Sequence, residues 1–479
     1  MLIRQTFLYL PAQLLPPIFQ FASLIAWSHF ATAETIGVVT LFTSIQEFLN
    51  LALINFWTTY TVRYAAKLSA DAENNHRFRA TSTTVLGGSL LIQSILALLL
   101  YYLTIDHHAS PGVMAVLVLL VCSRAFNLLQ SERGRAQGDI LLYSLTVMSG
   151  PVLGFFIGIG LLWRFGSAPV WVFLGFSLAQ LVGSLFGLAR DRDWFEIGRP
   201  DMALLRHALS YGLPLILSST FSWVTQNASR LIVSYVSGLA AAGIFSLGFG
   251  LGYRASTIAS MGVAAAAFPL AVRMSNDGDW EGALRQLSVN GALLFGVLCA
   301  SLIGLALVAK DVLHLMVSSS MRDAAYPVMM WCLLAGGFLA MRTTFLNQVL
   351  LLKAETRPIA ILGACEAVTM VGAAAVAVPM AGAAGGAAAF AGITGVAMLV
   401  MIRLATAAGL VMPWRDFARV ALASGAMAAA VLATPHAHTI PMLLARIAAG
   451  GAAFVAVLAI LYGSYTTQVL RLRRSPRTV

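Results

Sequence analysis

Fourteen apolar runs separated by short polar breaks dominate this chain, at roughly 6–28, 36–62, 83–104, 112–130, 141–163, 169–189, 208–237, 240–272, 286–308, 325–352, 358–378, 384–408, 417–434 and 442–466. About 20 apolar residues carry a helix across a bilayer. In lipid, backbone polar groups are satisfied only within helices or closed barrels. The pattern therefore predicts an all-α polytopic membrane protein of about 14 transmembrane helices. Of the 479 residues, 59% are hydrophobic and 10% charged, against about 25% charged in a soluble domain. That balance leaves no room for a sizeable aqueous domain and excludes a soluble enzyme. Cys122, Cys299, Cys332 and Cys365 all lie inside apolar runs, so they read as small buried groups and not as a disulfide framework.

The formal net charge of +11 is explained by topology. Alternate breaks, counted from the N-terminus, hold 21 basic residues, among them Arg63, Lys67, Arg77, Arg79, Arg190, Arg192, Arg199, Arg206 and the tail residues Arg471, Arg473, Arg474 and Arg477. The opposite breaks hold only Arg164, Lys310 and Arg322. Basic loops stay on the cytoplasmic side, so both termini are expected there, and the crossing number is even. Scattered over short loops, these charges do not form a nucleic-acid footprint. Arg4, the following apolar run and Ala31-Thr32-Ala33 imitate a secretory signal with its cleavage site. That run is longer than the usual 7 to 15 residues of a signal, so its retention as the first helix is expected.

The helices repeat. Tyr9-Leu10-Pro11 opens the first and Tyr211-Gly212-Leu213-Pro214 the seventh. Ala33-Glu34-Thr35-Ile36-Gly37 opens the second and Leu239-Ala240-Ala241-Ala242-Gly243 the eighth. Arg124 with Asn127 in the fourth is echoed by Arg342 with Asn347 in the tenth, at offsets of about 203 to 220. The expected organisation is an N-terminal six-helix lobe (1–200), a C-terminal six-helix lobe (201–410) related to it by a pseudo-two-fold along the membrane normal, and two additional helices with a basic tail (411–479).

No catalytic residue, metal site or cofactor motif emerges. His107 with His108, and His436 with His438, fall in short external loops as solvated side chains. The glycines of Gly382-Ala383-Ala384-Gly385-Gly386 follow a membrane helix and not a strand, which excludes a dinucleotide fold. The informative residues are ionisable groups inside helices, where charge is costly and faces a cavity or a partner. Thr40, Thr43, Glu47 and Asn50 form one polar stripe on the second helix, and Thr220, Trp223, Asn227, Arg230 and Ser234 another on the seventh. Arg124, Arg230, Arg254 and Arg342 outnumber the intramembrane acids Glu47 and Glu366 by two. A water-filled cationic cavity accommodates that excess, and guanidinium matches phosphate with a planar fork of donors. Glu47 and Glu366 are then coupling or pairing groups. Arg403 and Arg446 stand near helix ends, where they are expected to snorkel.

Tyr211-Gly212-Leu213-Pro214, Arg230, Gly238-Leu239 and Ala242-Gly243-Ile244-Phe245-Ser246, with Val378-Pro379, Gly382 and Gly385-Gly386-Ala387-Ala388-Ala389, resemble the polysaccharide-transporter branch of the multidrug/oligosaccharidyl-lipid/polysaccharide exporter superfamily. The resemblance spans essentially the whole chain, in loose motifs of small and apolar residues. It implies a flippase for an undecaprenyl-diphosphate-linked oligosaccharide in a bacterial inner membrane, serving O-antigen or exopolysaccharide synthesis beside a polymerase and other export components. On that reading the four arginines hold the diphosphate and Trp223 and Asn227 meet sugar. The polyprenyl tail stays in lipid beside the first and eighth helices, where Pro11, Pro16 and Pro17 allow bending. The family often places an acid before the seventh-helix arginine, where this chain has Ser229. Three alternatives are a peptidoglycan lipid-precursor flippase, a drug/cation antiporter of the same superfamily, and a non-transporting scaffold of a polysaccharide synthase.

Overall fold

The computed structural model describes residues 2–68, 71–190 and 195–463. Arg192 and the tail residues Arg471, Arg473, Arg474 and Arg477 lie outside the described residues. Fourteen helices account for nearly all of the rest. They are α1 (Leu2–Phe30), α2 (Ala33–Leu53, resuming after a kink at Ile54 as Asn55–Leu68), α3 (Ala72–Thr104), α4 (Pro111–Gln137), α5 (Ile140–Phe165) and α6 (Pro169–Arg190). A continuous stretch, Met202–Asn276, is broken by Gly238 at φ 86° into α7 (202–237) and α8 (239–276). After α9 (Trp280–Met316) and α10 (Ser319–Leu352), the stretch Arg357–Ala407 is likewise broken at Ala381 and Gly382 into α11 (357–380) and α12 (383–407). The chain closes with α13 (Trp414–Leu432) and α14 (Ile440–Leu461). Glycine is required at 238 and 382 because the backbone there takes positive φ, which costs an L side chain dearly.

The side-chain pattern is inside out relative to a soluble bundle. On α3, Leu91, Ile95, Leu99 and Leu103 are exposed at four-residue spacing, while Ser89, Gln93 and Tyr101 are buried. Gln93 Nε2 donates to Ser89 Oγ at 2.7 Å. A helix that turns leucines outward and amides inward has lipid as its solvent. The polytopic all-α reading therefore holds.

The chain gathers into two compact units, residues 1–250 with 363–390 and residues 251–362 with 391–479. In the first, α2 and α8 cross at their small residues. A Cβ on Gly37 would lie 1.9 Å from the Leu239 carbonyl oxygen, and one on Gly243 would lie 1.8 Å from that of Ala33. A turn further on, Thr40 Oγ1 donates to Ser246 Oγ at 2.8 Å. An offset of 206 carries 33, 37 and 40 to 239, 243 and 246, so Gly37 meets the counterpart of Ala33, Gly243 meets Ala33 itself, and Thr40 meets its own counterpart. The segments that look alike in the sequence pack on each other reciprocally, as a local two-fold requires. In the second unit, the core joins Leu287, Leu294 and Leu298 of α9 with Phe345, Leu346 and Val349 of α10 and Met401 and Ala405 of α12.

Three of the helices, α5, α9 and α10, carry a π-helical turn, at Ser149–Leu153, Cys299–Ile303 and Arg342–Leu346. Such turns are frequent at functional sites. The third turn places Arg342 itself at an interior, buried position. Arg446, expected to snorkel, is instead buried and ion-paired with Asp311 of α9. The two charges compensate each other there, so removing either one alone would leave an unpaired buried charge.

Candidate functional site

The first unit holds a polar cleft of about 350 Å³, lined by Glu47 and Leu51 of α2 and by Ser218, Ser219, Ser222, Trp223, Gln226 and Asn227 of α7. Glu47 of the α2 stripe thus faces Trp223 and Asn227 of the α7 stripe across it, while Thr40 turns instead to Ser246 of α8. Glu47 is half-exposed, and its Oε1 accepts from Arg124 Nη2 of α4 at 3.1 Å. The other guanidinium nitrogen, Nη1, donates to Gln46 Oε1 at 3.4 Å. Gln46 is fully buried and donates in turn to the Leu120 carbonyl at 3.1 Å. Arg124 therefore stands behind Glu47, aimed by an amide anchored on the arginine's own helix.

Arg230 is fixed just as firmly. Its Nη1 donates to Asn227 Oδ1 at 2.9 Å, one turn back on α7, and to Ser44 Oγ of α2. Its guanidinium lies over the Phe249 ring at 5.4 Å from the centroid, a cation–π arrangement that strengthens where water is excluded. Asn227 Nδ2 donates back to the Trp223 carbonyl at 3.0 Å, so the amide is oriented before it meets the arginine. Ser229, standing where the family often has an acid, donates to the Gly386 carbonyl at 2.8 Å and packs on that glycine. At this close approach of α7 to α12 only a small residue fits.

Trp223 lines the cleft with one face covered by Phe48, at 4.8 Å between centroids. Its Nε1 is buried without a hydrogen-bond partner among the described residues. Glu366 is buried within the same unit. Arg254 and Arg342 belong to the second unit, where Arg342 lies within electrostatic range of Tyr253. The structure thus brings Glu47, Arg124, Trp223, Asn227 and Arg230 into one neighbourhood, and places Arg254 and Arg342 in another unit.

In this cleft the wall itself is a carboxylate, hydroxyls, amides and an indole, with the arginines one layer behind. Sequence reading missed Gln46 and Ser44, which flank the stripe without sharing its spacing. It also missed Ser218, Ser222 and Gln226, although these recur at four-residue intervals and were legible as a helical face. Asn127, paired with Arg124 in the repeat, is structural: its Nδ2 donates to Ser149 Oγ and to the Gln180 carbonyl, both at 3.3 Å.

A family model described as "Polysaccharide biosynthesis protein" matches residues 30–326. No curated protein matches the sequence. Among solved structures, "Lipid II flippase MurJ, inward closed conformation" superposes with a TM-score of 0.78 at 11% identity, covering 96% of this chain and 100% of its own. An inward-facing multidrug resistance MATE family transporter of the MOP superfamily gives 0.63 at 16% identity, covering 83% and 97%. A MOP superfamily transporter from Pyrococcus furiosus, described as having a binding pocket of reverse polarity, gives 0.57 at 16% identity, covering 85% and 94%. At these identities the likeness establishes the fold.

Proposed function

The chain belongs to the polysaccharide biosynthesis protein family, and we propose from this that it is a flippase moving a polyprenyl-diphosphate-linked oligosaccharide across a bacterial inner membrane. In the proposed topology both termini are cytoplasmic, following the distribution of basic residues between alternate loops. The proposed cycle is alternating access between two six-helix lobes, 1–200 and 201–410, with 411–479 appended.

One observation carries the substrate reading, and it is the lining of the cleft between α2 and α7. Three serines, two carboxamides, a carboxylate and an indole supply the mixed donors and acceptors that recognise sugar hydroxyls. The buried Trp223 Nε1 is one more donor for such a hydroxyl. In this reading Arg124 and Arg230, one layer behind that wall, hold the diphosphate by charge-assisted forks, while Arg254 and Arg342 are proposed as cationic groups of the second unit. Glu47, already paired with Arg124, releases it as substrate arrives. An antiporter of organic cations fits less well, because four intramembrane arginines repel its cargo.

The test is translocation in proteoliposomes. Purified protein is reconstituted with a fluorescent undecaprenyl-diphosphate oligosaccharide or, in parallel, with fluorescent lipid II, and quenching from outside reports the leaflet. Equilibration of the oligosaccharide lipid only in protein-containing vesicles is expected. Equilibration of lipid II alone would replace this reading with the peptidoglycan-precursor alternative, and movement of neither would overturn both.

A further inference from the structure

The second unit holds a pocket of about 530 Å³ that the transport reading does not use. It lies where α9 passes to α10 and α13 passes to α14. Its lining includes Lys310, Asp311 and His314 of α9, Arg322 of α10, and His436 and His438 of the α13–α14 connection. Asp311 is 5% exposed and sits in a closed network. It accepts from Arg446 Nη1, while His436 Nδ1 stands 3.0 Å from its other oxygen. Arg446, 4% exposed, also donates from Nε to Thr434 Oγ1 and from Nη2 to the Val431 carbonyl, each at 3.1 Å. The one buried acid of the pocket is therefore neutralised from behind, by a residue that does not line it.

What faces the pocket after that is donor-rich. His314 Nδ1 lies 2.8 Å from Arg322 Nη1. An arginine cannot accept, so that imidazole nitrogen accepts and the ring presents its Nε2–H as a further donor. Lys310 Nζ rests over the Tyr326 ring at 5.6 Å, which holds the ammonium at the rim. Asp323 also lines the pocket, but it is 96% exposed and its carboxylate stands 4.0 Å from Arg322 Nε, so water screens that pair and leaves the cations in excess. A lysine, an arginine fork and imidazole donors around one concavity suit a group with several anionic oxygens better than a single carboxylate.

We propose that this pocket is a second anion site, built by the appended helix pair against α9 and α10, that takes a phosphate or diphosphate group. By the loop-charge topology it lies on the external side, where a glycan-linked diphosphate or an anionic lipid headgroup reaches it. The buried Asp311–Arg446 pair is the scaffold that positions His436 and ties α14 to α9. Lys310 and Arg322 are the binding groups. The proposal stands on this pocket alone and not on the transport reading.

Two titrations on the full-length protein in detergent test it. Inorganic pyrophosphate is titrated by calorimetry, and retention of phosphatidylglycerol against phosphatidylcholine is read by native mass spectrometry. Lys310→Gln with Arg322→Gln is expected to weaken anion binding at least tenfold in one of these assays. Both side chains lie at the rim, and a melting curve matching the parent's verifies the fold. Lys310→Arg is expected to retain binding. Loss confined to pyrophosphate assigns a soluble or glycan-linked diphosphate, and loss of phosphatidylglycerol assigns the lipid headgroup. If the double variant matches the parent in both assays, the pocket is no anion site, whatever the outcome of the translocation test.

Discussion

The two sides of the α2–α8 crossing are equivalent by position and opposite in chemistry. On one side, Arg230 of α7 reaches Ser44 of α2. On the other, the residues 206 positions away do the same job with different atoms: Leu24 of α1 lies against Gly250 of α8, its Cδ1 only 2.0 Å from where a Cβ would sit. One side is a charged, oriented contact beside a polar cleft, and the other is dry packing. A symmetric fold needs only the packing version, which costs no desolvation. On the proposed function, the arginine kept on one side alone serves the ligand and not the crossing.

This comparison can be broken most severely at its centre. Gly37→Ala puts a methyl into the Leu239 carbonyl. Because backbone must move, the cost should exceed the usual range of about 1–3 kcal/mol for overpacking. Thermal unfolding in detergent and membrane abundance should both collapse. Leu24→Ala attacks the dry side. It should cost about 2 kcal/mol, the low end for a buried leucine because lipid and not water covers the unfolded side chain. Transport per folded molecule should persist, and a selective loss of transport would deny that this side is mere packing.

Glu47→Gln addresses the polar side. Its partner Arg124 is part-exposed and keeps its bond to Gln46, so melting should shift little. Translocation in proteoliposomes should fall about tenfold, because Arg124 then has no charged partner to return to when substrate leaves, a difference of one charge-assisted bond. The smallest effect belongs to Thr40→Val, which deletes the hydroxyl contact to Ser246. Interhelical hydrogen bonds in membranes average about 0.6 kcal/mol, so this variant should be nearly indistinguishable from the parent in melting and in transport.

Much of this was legible beforehand for a physical reason. Apolar runs near 20 residues have one stable form in lipid, so helix number and class follow from the sequence. That Glu47 and Asn227 turn inward on α2 and α7 followed from helical spacing, because both are costly in lipid otherwise. Pairing was not legible. Nothing in one sequence says that Arg124 takes Glu47, that Ser44 takes Arg230, or that Arg446 of α14 finds Asp311 of α9. These are contacts between helices far apart in the chain, set by rotation and register. Asp311 was also hidden by its place beside Lys310 at a helix end, where an acid normally reads as solvated.

The most direct measurement makes the two sides alike. Arg230→Leu with Ser44→Gly rebuilds the charged contact as its packing counterpart, leaving Gly37, Gly243 and Thr40 untouched. The parent and this double variant are compared for melting and for translocation of the diphosphate-linked oligosaccharide in proteoliposomes. The account predicts an unchanged or slightly raised melting temperature and translocation reduced at least tenfold. Full translocation by a stably folded double variant would contradict it, returning Arg230 to a structural role.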